Sequence, residues 1–504
     1  MRHSSKVLRA GTSDRARRLV TMVQTASLML PLGGCLLSGD LPEPNLVVPA
    51  AYDQGPKNPA AAQAKLPSLD WWRNFRSREL TAIIEDARTN NLDIAAAVAR
   101  IVQADAQARI AGAALLPLIT ANGNAVNSQS SKTTSKANII SLKQTGRTLT
   151  GAPIVTNNLQ ATLNASYELD FWGKNRAALR AAEETAIASR YDREVVGLST
   201  VVSAANAYFL VLAAQDRLRI AHENFESANR ILNLVKQRAA AGTASDLEIA
   251  QQESLVNQVR ATIPPLQQTL QQNKNALAVL LGRSPEQVRV RGGSLKSIAI
   301  PRVTPGLPSE LLTQRPDIRE AEANLAAANA NVYNARAQLL PSITLTGDGG
   351  YESAVLRVLT RPESVIFSAA AGLTQPIFEG GRLLGNLDLQ KGKQDELVQD
   401  YRKAVISAFA DVENALYNVR ETALTVQLQT AVVSSSRRAF DVSEQRLREG
   451  TIDLVTVLQT EQTLFTAEDA LAQAQLARLQ AIVSLYQALG GGWLPEPVEA
   501  SNAR

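Results

Sequence analysis

From Asn158 to Leu169 polar and apolar residues alternate without a break. Leu159, Ala161, Leu163, Ala165, Tyr167 and Leu169 form one set, and Asn158, Gln160, Thr162, Asn164, Ser166 and Glu168 the other. A period of two puts the two sets on opposite faces of a β-strand. Val365, Phe367, Ala369, Ala371 and Leu373 repeat the pattern, with Ile366 and Ala370 diluting the polar face. Partner strands are predicted at about 118–128 and 342–352, where Ile343, Leu345 and Tyr351 share a face. Strands of roughly ten residues with one apolar and one polar face match a transmembrane barrel better than a sandwich core. Four such strands cannot close a barrel, and lipid does not tolerate open edges, so the pattern demands several chains.

Around the strands the period becomes helical. About 79–115 and about 309–339 read as matched helices, each stopped by Leu-Pro. About 175–240 is interrupted only by Gly197, and about 383–449 only by Gly385 and Gly392. A helix of that length spans on the order of 100 Å. Each ends at Gly-Thr and returns as a shorter helix, 244–281 and 452–489. The last carries Leu464, Leu471 and Leu485 beside Ala467, Ala474 and Ala481, a sevenfold seam that Arg478 interrupts. Pro264-Pro265 is expected to kink 244–281 near its middle.

The same order occurs twice. Asp93 and Pro117 recur 224 residues later as Asp317 and Pro341; Gly242-Thr243 and Gly282 recur 208 residues later as Gly450-Thr451 and Gly490. A repeat of about 210 residues is too long for a solenoid unit and marks a duplicated structural half. The chain thus divides into a leader (1–34), an extended tether (35–78), a first repeat (79–282), a connector (283–308), a second repeat (309–490) and a tail (491–504). The expected class is mainly α with a small membrane β part.

Charge changes the picture only once the leader is set aside. The chain has 52 basic and 47 acidic residues. Residues 1–34 hold six of the bases (Arg2, Lys6, Arg9, Arg15, Arg17, Arg18) and one acid (Asp14), leaving 46 of each. A balanced chain removes the electrostatic case for nucleic acid. Behind the basic segment a mostly apolar stretch, Leu19 to Leu32, runs into Gly33-Gly34-Cys35. Leu32-Gly33-Gly34-Cys35 resembles a bacterial lipobox, which would make Cys35, the single cysteine, the acylated first residue of the mature chain. Leu36 follows, where an aspartate would suggest inner-membrane retention, so outer-membrane sorting is expected.

Catalytic candidates are few. His222 is the one histidine after the leader and lies within a long helix; no metal-spaced cluster appears. Gly347, Gly349 and Gly350 follow a strand start and precede no helix, so they read as strand or turn glycines rather than a phosphate loop. Glu183-Glu184 reads as a solvated helix face. No enzyme, no cofactor and no metal site is expected. The Gly-Thr turns place glycine just past a helix, with Thr243, Asp246, Thr451 and Asp453 around the start of the next. Before the second turn, Arg437, Arg438, Asp441, Glu444, Arg446, Arg448 and Glu449 are clustered. They read either as i,i+3 and i,i+4 pairs on a solvated face, Asp441 with Arg437 or Arg438, or as charges aimed at a symmetry axis.

The stretch PSELLTQRPDIREAEANLAAANANVYNARAQLLPSITLTG (308–347) resembles the signature of outer-membrane efflux factors of the TolC/OprM type, in the NodT-like lipoprotein branch. LVTVLQTEQTLFTAEDALAQAQLARLQAIVSLYQALGGGW (454–493) resembles that family's closing helix. The resemblance implies a homotrimer with a twelve-stranded outer-membrane barrel and a long periplasmic α-helical barrel. It implies partnership with a periplasmic adaptor and an inner-membrane transporter of the RND type, passive export of small molecules, and no catalysis by the duct. Gly242, Thr243, Asp246, Gly450, Thr451 and Asp453 become the adaptor-docking tips, and Arg437, Asp441 and Glu444 the periplasmic gate. The long loop at about 130–157, rich in Ser, Thr, Lys and Asn, falls outside the cell. A type I protein-secretion duct shares this architecture; a purely structural coiled-coil lipoprotein has no use for the alternating strands.

Overall fold

A computed structural model describes residues 46, 48–49, 51–53, 68–129, 155–303, 305–306, 308–491 and 493. The helices and strands in chain order are α1 (Arg78–Asn90), α2 (Leu92–Ala113), β1 (Leu118–Gln129), β2 (Val155–Leu169), α3 (Lys174–Ala240) and α4 (Asp246–Leu280). The second half repeats the order as α5 (Pro308–Gln314), α6 (Pro316–Ala337), β3 (Ser342–Ser353), β4 (Val365–Thr374), α7 (Arg382–Arg448) and α8 (Leu454–Ala488). α3 and α7 are each 67 residues and α4 and α8 each 35, so the duplication holds element by element.

The chain separates into two compact units. One comprises 105–184 and 326–396 and holds the sheet; the other comprises 43–104, 185–325 and 397–504. In the first, the strands form one antiparallel sheet in the order β1-β2-β3-β4. Gly350 serves close packing there: a Cβ would lie 2.1 Å from the Ala161 carbonyl oxygen. Gly347, Gly349 and Gly350 all lie within β3, as the sequence predicts. At the end of β2, Trp172 Nε1 donates to the Pro341 carbonyl at 2.7 Å, tying the start of α3 to the start of β3.

The second unit is helical. Its main core gathers Trp71, Phe75, Leu80, Ile84, Phe209, Leu212 and Tyr486. Trp71 stacks on Tyr486 with ring centroids 4.6 Å apart. Here the expected tether ends early: Trp71–Phe75 form a 3-10 turn with Trp71, Trp72 and Phe75 buried, and Tyr52 is buried in a second core with Leu311 and Val405. Three large aromatics within five residues bury too much apolar surface to remain extended in water. One window of α3 is apolar enough to span a membrane, at a mean hydropathy of 1.8, yet 56% of it is buried inside the protein. Packing accounts for it.

The helices expected at 79–115 and 309–339 are each two helices, broken at Asn91 and Arg315. The breaks do the same work in both halves. Asn91 Nδ2 donates to the Leu280 carbonyl at 2.9 Å, and Arg315 Nη1 to the Ala488 carbonyl at 3.2 Å. Each satisfies an orphan carbonyl at the end of a returning helix. Gly282 and Gly490 recur for the same reason: at φ of 63° and 86°, a Cβ on them would lie 2.2 Å from Asn90 O and 2.5 Å from Gln314 O. α4 runs through the exposed Pro264-Pro265 pair without ending. The connector is pinned to the helices by carboxylates: Asp216 accepts from the Ser294 hydroxyl and Leu295 N–H, both at 2.9 Å, and Glu79 accepts from Arg291 N–H at 2.7 Å.

Candidate functional site

The sheet separates two environments. Its register places Ala121, Leu163, Gly349 and Phe367 in one row across the four strands, with Ile119, Ala165, Gly347 and Ala369 in the next. The alternate rows hold Asn122, Thr162, Gly350 and Ile366, or Thr120, Asn164, Asp348 and Ser368. One face is therefore apolar along most of its length, giving way to Asn127, Asn157 and Ser353 at one end, and the other is mainly polar. The apolar face is bare in the single chain: Leu163 is 60% exposed, Ile119 67%, Leu373 71% and Phe367 85%. The outer edges of β1 and β4 pair with no strand among the described residues. One bare apolar face and two open edges cannot be an end state in water.

Just beyond β2 and β4 each half places an apolar pair, Phe171-Trp172 and Ile377-Phe378. Phe171 is 52% exposed, Ile377 89% and Phe378 88%. Aromatics at strand ends suit the boundary between hydrocarbon and water.

The two helix reversals share one construction. Gly242 and Gly450 have φ of 74° and 72°. Thr243 N–H returns to the Arg238 carbonyl at 2.8 Å and Thr451 N–H to the Arg446 carbonyl at 2.9 Å, each 6→1 bond closing the preceding helix. Both threonine hydroxyls donate to the same two carbonyls. The next helix is then capped differently. Ser245 caps α4 through a reciprocal box with Glu248, while Asp453 caps α8 by accepting from Thr456 N–H at 2.9 Å. The Thr456 hydroxyl and N–H hold the Asp453 carboxyl below its usual range. Asp246 opens α4 and is exposed.

The charge cluster meets the expectation of i,i+4 pairs on one helix face only in part. Ser436, Phe440, Ser443 and Leu447 form the buried stripe of α7, and Arg437, Asp441, Glu444 and Arg448 lie one residue around from it. Arg437 pairs with Glu468 of α8 rather than with Asp441, and Glu444 pairs with Arg448 one turn on. Asp441 is exposed and has no partner within the described residues. The reach of Arg437 across to α8 explains the difference, since burial there raises the Glu468 carboxyl and makes a cation beside it worthwhile.

Cys35 lies outside the described residues. His222 is exposed on α3 beside Arg219, Glu223 and Arg230, and no cluster suited to a metal occurs among the described residues. Sequence reasoning passed over Gln252 and Glu461, both wholly buried next to the reversals. The signal was present: each polar side chain occupies a seam position between apolar ones, at Val457-Glu461-Leu464 and Ile249-Gln252-Val256.

A lipid-type face on a strand set that cannot close alone, carried in duplicate on very long helices, defines an outer-membrane channel subunit. The chain belongs to the outer membrane efflux protein family, whose sequence model matches residues 83–283 and 307–491, one match for each half. It is 40% identical over 482 residues to the pyoverdine export outer membrane protein OpmQ of Pseudomonas putida, covering 92% of this chain and 97% of that protein. It is 31% identical over 489 residues to the probable efflux pump outer membrane protein TtgC of the same organism, covering 96% and 98%. Among solved structures, the Campylobacter jejuni CmeC outer membrane channel superimposes with a TM-score of 0.82 at 26% identity, over 91% of this chain and 95% of that one. The chain is an efflux duct of the outer membrane, the exit component of a tripartite pump.

Proposed function

We propose that three copies of the chain close into one duct, each giving four strands to a twelve-stranded barrel and its long helices to a periplasmic helical barrel. The sheet carries this reading: apolar on one face, mainly polar on the other, and open at β1 and β4. Placing β1 of one copy beside β4 of the next removes every edge, and an even strand number keeps the barrel antiparallel. A second feature asks for the same partner. Ile406, Tyr417, Leu424, Leu428 and Val442 are exposed along one face of α7, a stripe that a second copy would cover.

In this reading Cys35 carries a lipid that adds an anchor to the barrel. The reversals at Gly242, Thr243, Asp246, Gly450, Thr451 and Asp453 meet the adaptor. Arg437, Asp441 and Glu444 belong to a periplasmic gate, in which Asp441 is the acid free to reach a neighbouring copy. An inner-membrane transporter, of the RND type on the sequence expectation, supplies the energy, and the duct performs no catalysis. The cargo is a small molecule; the likeness to a pyoverdine exporter supports a siderophore-type compound. The test is to solubilise the protein in detergent and image it. Threefold particles with a long tube are expected, whereas a stable, soluble full-length monomer would overturn the reading. Deleting the gene and assaying culture medium for siderophore tests the cargo.

A further inference from the structure

A polar layer interrupts the apolar packing of α3, α4, α7 and α8 beside the reversals. Ile231, Val235, Phe440, Leu447, Val457 and Leu464 belong to one buried cluster, and Ala228, Leu232 and Val256 to another. Gln252 of α4 and Glu461 of α8 lie next to them, both 0% exposed. The Gln252 amide donates to the Ala228 carbonyl at 3.0 Å and to Glu461 Oε2 at 3.4 Å, which uses both of its hydrogens. Gln252 Oε1 and Glu461 Oε1 are left with no partner. With an ionised carboxyl both are acceptors and neither can satisfy the other. A proton on Glu461 Oε1 removes the conflict: the carboxylic acid donates to the amide oxygen while the amide donates to Oε2. In an eight-membered acid–amide ring both unpartnered oxygens would be satisfied.

We propose that Glu461 and Gln252 form a proton-dependent latch joining α8 to α4 and, through Ala228, to α3. It is fastened while the carboxyl holds its proton and loosened when that proton passes to water. The surroundings favour the neutral form. Burial pushes Glu461 up to about 7, opposed by the Gln252 hydrogen bond, reinforced by Glu444 of α7 and opposed by Arg230 of α3. The other nearby charges are already spent: Glu444 on Arg448, Glu253 of α4 on Lys236 of α3, and Arg437 of α7 on Glu468. The duplication sharpens the point. Shifted by 208 residues, Lys236 and Glu253 of the first half correspond to Glu444 and Glu461 of the second. The first half thus has a salt bridge of 2.8 Å where the second has two acids, one of them buried.

The sign follows from linkage. A carboxyl raised in the folded state binds its proton more tightly there than in the opened chain, where its value is about 4.3. The contribution is fully present below that value, falls as pH rises, and is gone above about 7. Between about pH 6 and about pH 8 the local opening equilibrium should shift toward the open form about tenfold.

Hydrogen–deuterium exchange of the native protein in detergent reads this directly and needs no adaptor. Peptides spanning 246–258 and 454–466 should lose about tenfold in protection over that interval, after correction for intrinsic exchange. Glu461→Gln keeps the shape and offers an amide in place of the acid, so its protection should be the same at both pH values. Glu253→Gln, at the salt-bridged counterpart, should keep the wild-type pH step. An equal step in wild type and Glu461→Gln would overturn the latch, as would wild-type protection independent of pH.

Discussion

Gly450 adopts φ of 72° with nothing within 4 Å of where a Cβ would stand, so any side chain there meets conformational strain and no clash. Gly450→Val should therefore cost more than Gly450→Asn, because asparagine enters the left-handed region at a fraction of the roughly 1–2 kcal/mol that other residues need. That separation gives a clean test of docking. Gly450→Trp should abolish pump activity in a drug- or siderophore-export assay while trimer yield stays intact, and Gly450→Asn should retain activity. Loss of activity in Gly450→Val, strained but small, as well as in Gly450→Trp would trace the effect to strain rather than to a blocked surface. At Asp441 the expectation concerns the gate. Exposed ion pairs contribute about 0–1 kcal/mol each, so closure would need several acting together around a symmetry axis. Asp441→Ala with Glu444→Ala should raise single-channel conductance in a planar bilayer without loss of trimer. Unchanged conductance in the double variant would reduce the cluster to a solvated face.

Among the elements, β2 offers the sharpest contrast, because neighbouring residues face opposite environments. Leu163 lies on the apolar face, 60% exposed, beside Ala121 and Gly349; Asn164 lies on the polar face beside Thr120 and Asp348. An arginine on a lipid-facing strand position near the bilayer midplane costs about 2–4 kcal/mol. Leu163→Arg should thus sharply reduce the heat-resistant folded fraction on gels of outer-membrane preparations, and Asn164→Arg should not. Equal loss from both would mean that the faces are assigned wrongly. The helical core makes a different demand. Phe209, wholly buried against Phe75 at a centroid distance of 5.5 Å, should cost about 3–5 kcal/mol when cut to alanine, read as a lowered melting temperature of the detergent-solubilised protein.

For the whole molecule, the expected assembly follows from what a single copy leaves bare. The stripe on α7 and the edges of β1 and β4 ask for identical partners, so threefold symmetry and membrane insertion belong to one event. The barrel would hold the membrane without help, and Cys35→Ser should lower sorting to the outer membrane more than it lowers channel formation in the fraction that arrives. Mass spectrometry of the mature N-terminus would show acylation at Cys35, and an unmodified chain beginning at Met1 would remove the anchor from the scheme.

Much of this was determined by local pattern. A period of two fixes which residues share a strand face, and the register across four strands later needed no side chain moved. The lengths of α3 and α7 followed from the absence of proline and from glycine at the reversals, since a left-handed residue is what ends a helix cleanly. Tertiary structure decided what depends on partners distant in sequence. The helix before β1 breaks at Asn91, whose amide meets the Leu280 carbonyl 189 residues away; the break at Arg315 is set locally by Pro316, and tertiary structure adds the Ala488 carbonyl 173 residues away. Trp71, Trp72 and Phe75 are core and not tether because α8 brings Tyr486 against them. Arg437 prefers Glu468 to its helical neighbour, and Glu461 finds Gln252 across the packing of α4 and α8. Periodicity reports which way a side chain points, but only the packed chain decides what it meets there.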